Sequence, residues 1–96
     1  MAAMRFGSKA LASSWTAVRL VAVPTKARAL WVQAKKVTGA NIAAIFITDS
    51  TGTRFGGLLK GEYLEMPLGG AVINLMDIWI TGGTVADGVV FGYIAV

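Results

Sequence analysis

The apolar residues of this chain come in short runs separated by turn signals at intervals of roughly ten residues, and that spacing excludes most folds. The runs are Trp15–Val23, Arg28–Ala34, Ile42–Thr48, Thr53–Phe55, Tyr63–Met66, Ala71–Leu75, Ile78–Thr81 and Val89–Ala95. β-Branched and aromatic residues dominate them, as strands prefer. Between them stand Pro24-Thr25-Lys26, Thr38-Gly39-Ala40-Asn41, Asp49-Ser50-Thr51-Gly52, Lys60-Gly61, Pro67-Leu68-Gly69-Gly70, Gly82-Gly83 and Ala86-Asp87-Gly88. With 12 glycines scattered this evenly, a long helix has nowhere to form, and only Met1–Ser13 has a helical pattern. The expectation is an all-β fold: a compact antiparallel β-sandwich of seven or eight short strands, jelly-roll-like. Residues 1–10 form an extended N-terminal arm in this reading, and residues 11–96 form the sandwich domain.

The runs carry more apolar residues than so short a chain can hide. Of 96 residues, 55% are hydrophobic and 15% charged, with no cysteine and no histidine. A monomer of this size buries only about 60–65% of the surface its unfolded chain exposes. Disulfides and the usual metal ligands, which staple other small domains, are lacking. A membrane does not take the surplus as a helix, because no run approaches the roughly 20 apolar residues a span requires. Met1–Lys9 is basic and Ala10–Val18 mildly apolar, but two serines and the want of a cleavage site argue against a signal peptide. The surplus is therefore expected between subunits. Val89–Val96 runs apolar to the last residue and would be a hazard as a free edge strand. Val90, Tyr93, Ile94 and Val96 are the candidate subunit interface of a homo-oligomer, a dimer or a trimer.

Charge is lopsided as well. The net charge is +4, and no acid precedes Asp49. Either the first half makes a cationic surface for an acidic partner, or strand pairing mixes the two halves. Chemistry is hard to find. Nucleophilic catalysis needs a base beside the nucleophile, and no histidine is present to serve. Glu62 and Glu65 are three apart, so a strand points them to opposite faces. Asp49 reads as the acceptor of an Asx turn completed by Gly52, not as a calcium ligand. The expectation is a protein that is not an enzyme, with no catalytic residue, no cofactor and no metal. For Trp15, Trp31 and Trp79, each within a strand run, core packing is the simplest role; interface anchoring or stacking on sugars or bases are the others.

Six segments together suggest a family. They are Arg19-Leu20, Leu30-Trp31-Val32-Gln33-Ala34, Ile45-Phe46-Ile47, Gly61-Glu62-Tyr63-Leu64-Glu65-Met66-Pro67, Asn74-Leu75-Met76-Asp77-Ile78-Trp79-Ile80-Thr81-Gly82 and Asp87-Gly88-Val89-Val90-Phe91-Gly92-Tyr93. In this order, over Leu11–Tyr93, the chain resembles short structural proteins of tailed-bacteriophage virions, small β-sandwiches of paired strands. The resemblance implies a non-enzymatic capsid decoration (cement) protein, made in the host cytoplasm and bound to the major capsid protein, or another virion protein, in the particle. Its shell would be acidic, which suits a basic arm, so Arg5, Phe6 and Lys9 are the candidate capsid contacts. A tail or tail-tip component, with tryptophans meeting host sugars, is the first alternative. A small single-strand-binding β-barrel is the second, although nucleic acid is not the expected partner.

Overall fold

Strand β3 (Lys26–Gln33) shows how the alternation is used: Leu30 and Val32 are fully buried, whereas Trp31 and Gln33, which alternate with them, are only half-buried. The structure, a computed structural model, describes residues 4–49, 51, 54–66 and 71–96. Around β3 lie β1 (Met4–Ala10), β2 (Val18–Arg19), β4 (Lys35–Lys36), β5 (Gly39–Ala40), β6 (Ile45–Thr48) and β7 (Arg54–Leu58). The chain continues through β8 (Tyr63–Met66), β9 (Ile73–Asn74), a 3₁₀ turn (Leu75–Asp77), β10 (Trp79–Thr81) and β11 (Gly88–Ala95). Every pairing is antiparallel. The fold is all-β.

Two sheets carry the structure. The first runs β1-β11-β3-β8, with β9 also paired to β3; the second runs β2-β10-β6-β7; β4 and β5 form a separate small hairpin. The buried residues of both sheets form one cluster. Leu30, Val32, Val89 and Phe91 come from the first sheet, and Ile45, Ile47, Leu58 and Ile80 from the second. Leu11, Leu20, Leu75 and Ile78, from the connections, join it, as do the small Ala27 and Ala34. Burying a Leu, Ile or Phe contributes about 1.5–3 kcal/mol, so this cluster is the main source of stability.

The N-terminal segment departs from expectation. Met4–Ala10 is neither helix nor free arm, since it pairs with β11 in unbroken register from Met4↔Ile94 to Ala10↔Gly88. The reason is the hazard seen in the sequence: β11 needs a partner on each side, and β3 supplies only one. β11 is consequently an interior strand, not a bare edge. The edge on this side of the sheet is β1, whose Arg5 and Lys9 discourage further strand addition. Residues 1–3 lie outside the described residues, as do the Pro67–Gly70 turn and Gly52. The Asx turn is seen as far as Thr51, whose N–H and hydroxyl donate to Asp49 Oδ1 at 2.8 and 2.7 Å. Two long runs are shortened. Only Val18–Arg19 of Trp15–Val23 is strand, and the 42–48 run starts its strand at Ile45.

One polar clasp closes the end of the first sheet. Asn41 Nδ2 donates to the Gly88 carbonyl at 2.8 Å, and its Oδ1 accepts the Gly88 N–H at 3.0 Å. Asp87, also buried, accepts the N–H groups of Ile42 and Ala43 at 2.9 Å each, with Lys36 Nζ 3.9 Å from its Oδ1. Burying these groups would be costly without such partners. Gly88 is required here: a Cβ would collide with the Lys9 carbonyl oxygen on β1.

Candidate functional site

Strand register decides what the outer face of the first sheet presents. Phe6, Gly92 and Trp31 stand in one row across β1, β11 and β3, and paired residues share a face. The Trp31 indole lies across Gly92, where an added Cβ would come within 2.5 Å of the ring. The next row brings Ser8, Val90, Gln33 and Tyr63 together. With Val37 they line an open groove of about 450 Å³. Its aromatic walls are open to solvent: Phe6 is 73% exposed and Tyr63 70%. No described lining residue is charged. Its polar side chains are the Ser8 hydroxyl, the Tyr63 phenol and the Gln33 amide, which donates to the Gly61 carbonyl at 3.1 Å. Such a groove suits an apolar or neutral partner.

The outer face of the second sheet differs. There the Arg19 guanidinium sits 5.0 Å from the centre of the Trp79 ring. Arg54 lies 4.1 Å from the Phe46 ring centre and 5.6 Å from that of Trp15, and the two rings are 5.9 Å apart. Aromatic and cationic groups alternate here.

The residues singled out by sequence are dispersed. Gly7 faces the Phe91 ring on the inner side of β1, so Arg5 and Lys9, two positions either way, share that side while Phe6 looks outward into the groove. Val90 lines the groove, and Ile94 shares its face opposite Met4. Tyr93 turns the other way, packed on the core with its ring 6.1 Å from that of Phe91. Val96 is exposed beyond the strand end, its N–H donating to the Lys26 carbonyl at 3.3 Å. The expectation that the tryptophans fill the core is corrected. Trp15 is 59% exposed, and Trp31 and Trp79 are half-buried on outer faces. Sequence reasoning missed Trp31, Gln33, Val37 and Tyr63 as one surface. The signal was present in β3: burying Leu30 and Val32 obliges Trp31 and Gln33 to face outward.

Among the described residues, no three of His, Cys, Asp and Glu gather as a metal site would require, and no helix is long and apolar enough to cross a membrane. No family model, curated protein or solved structure matches the chain. Its function must be argued from these two faces.

Proposed function

We propose that this chain is a viral structural protein that decorates a capsid shell, and that the outer face of the first sheet is its docking surface. The observation carrying this reading is the uncharged groove walled by Phe6, Trp31 and Tyr63, which is sized to take apolar side chains of a shell subunit. Aromatic anchors in a desolvated pocket are what protein interfaces spend most of their affinity on. Topology lends support. Numbering the strands of the two four-strand paths by position along the chain turns their orders into 1-8-3-6 and 2-7-4-5. Those orders support reading the molecule as a jelly-roll sandwich, an architecture common among capsid and lectin domains. The protein acts by adhesion and has no chemistry to perform. Its homo-oligomer forms on the shell, with Val90 and Ile94 beside the groove.

The test is co-sedimentation with empty tailed-phage capsids, joined to mass measurement of the free protein. Phe6→Asp with Tyr63→Asp should abolish capsid binding while shifting the melting temperature by only a few degrees. Unchanged decoration by that variant, or a wild-type protein that never sediments with shells, would sink the reading.

The lectin association gives a second reading some weight, since Trp31 and Tyr63 beside Ser8 and Gln33 also suit the apolar face and hydroxyls of a sugar. Glycan-array binding lost on Trp31→Ala would favour a tail-tip role over decoration.

A further inference from the structure

The second sheet gathers Trp15, Arg19, Phe46, Arg54 and Trp79 on one outer face from four separate parts of the chain. Register explains the convergence. Thr81 stands opposite Phe46, and Phe46 opposite Gly57; two positions along, Trp79 stands opposite both Arg19 and Thr48. Glycines let the rings lie flat. A Cβ on Gly57 would come within 2.9 Å of the Phe46 ring, and one on Gly83 within 3.1 Å of Trp15. Trp15 is fixed in place with its backbone at φ 55, a left-handed conformation that a bulky residue adopts only at a cost. Its N–H donates to the Gly82 carbonyl at 2.7 Å, and the neighbouring Ser14 hydroxyl to the Gly83 carbonyl at 2.9 Å. The fold thus strains its backbone to hold out an indole that stays 59% exposed. Strain of that kind collects where ligands bind.

We infer that this face binds single-stranded nucleic acid. Bases stack on Trp15 and on the outer planes of the two guanidiniums, while the in-plane N–H groups of Arg19 and Arg54 meet phosphates. A guanidinium stacked on a ring keeps those N–H groups free, which an ammonium on a flexible stem does not reproduce. Ring faces accept any base, so the binding is sequence-tolerant. Trp79 and Phe46 are diagonal neighbours on adjacent strands, about 7–8 Å apart, a span one extended nucleotide covers. The net charge of +4 favours a polyanion. An acidic protein would satisfy the charge but leave the stacked planes unused. This inference concerns the face opposite the groove and does not depend on the capsid reading.

The experiment is fluorescence titration with a twelve-residue oligothymidylate at 50 and 200 mM salt, with polyglutamate and a duplex of equal length as competitors. Wild-type protein should bind with quenching of tryptophan emission, and neither competitor should displace the oligonucleotide at equal charge. Trp15→Ala should weaken binding roughly 5- to 150-fold. Arg19→Ala with Arg54→Ala should lower the magnitude of the salt slope by about 1.4. Arg28→Ala, the loss of one exposed charge on the first sheet, should change little. Circular dichroism and melting identify a variant that fails to fold, and for such a variant Arg19→Lys with Arg54→Lys takes its place, keeping the charge and losing the stack. Weakened, less quenched binding by the lysine variant supports the inference. Equal binding by the lysine variant, equal competition by polyglutamate, or no binding at 50 mM salt overturns it.

Discussion

The two outer faces of this small protein are built from the same kinds of residue and offer opposite surfaces. On the first sheet, aromatic rings surround an uncharged groove, with Trp31 lying on Gly92 and Phe6 and Tyr63 rising beside it. On the second, each aromatic carries a guanidinium. Both use glycine to lay a ring against the sheet, so the difference lies in what stands in the neighbouring strand. Across from Trp31 stand Gly92 on one side and Glu65 on the other; across from Trp79 stand Arg19 and Thr48. The sign of the neighbours separates the two rings: Trp79 has a guanidinium over it, whereas Trp31 lies on a glycine and has no cation opposite it.

The sharpest way to break this comparison is to detach one face. Gly88→Ala drives a Cβ into the Lys9 carbonyl, so β1 should separate from β11 and take Phe6 away from the groove. The expected cost is about 3 kcal/mol. That corresponds to roughly 12–24 °C in melting temperature for a domain of this size. Hydrogen exchange should show protection lost along β1 and β11 and kept in β6 and β10. Uniform loss would mean that the faces are not separable.

A smaller effect should follow from Gly92→Ala, which pushes the Trp31 indole out of its place without touching the ladder. We expect about 1–2 kcal/mol of destabilisation and a shift in tryptophan emission, with the groove lost and the cationic face intact. Smallest is Arg54→Met. Removing a solvent-exposed cation from the faces of Phe46 and Trp15 should cost about 0.5–1 kcal/mol, read as a change in denaturant midpoint. A larger loss would mean that the guanidinium holds β7 in place.

Much of this architecture was legible in the sequence, and the limits of that legibility are physical. Runs such as Arg28–Ala34 and Val89–Ala95 announce strands because β-branched and aromatic residues alternate between turn residues. What they leave open is pairing. Nothing in the composition of Met4–Ala10 marks it as a strand, since its glycine, serine and lysine are poor strand formers; it is one because β11 lacks a neighbour on that side. The same holds for the groove. Trp31 and Tyr63 become neighbours only through the β3–β8 register, and Arg19 and Trp79 only through β2–β10. Trp15 was beyond reach for another reason, because its left-handed backbone is imposed by tertiary contacts at Gly82 and Gly83.

The ladder between β1 and β11 joins residues from 78 positions apart (Ala10 and Gly88) to 90 positions apart (Met4 and Ile94). During synthesis, the earliest strand of the fold must wait for the latest before it has a partner. Contacts of such long sequence separation slow folding, because loop closure is unfavourable until they form. Until then β3 also lacks β11, so the nascent chain carries β1 without a partner and β3 with one side open past the ribosome exit. A slow refolding phase that does not depend on proline isomerisation, together with rescue of soluble yield at low temperature or by a holdase chaperone, is the kinetic signature to expect from this arrangement.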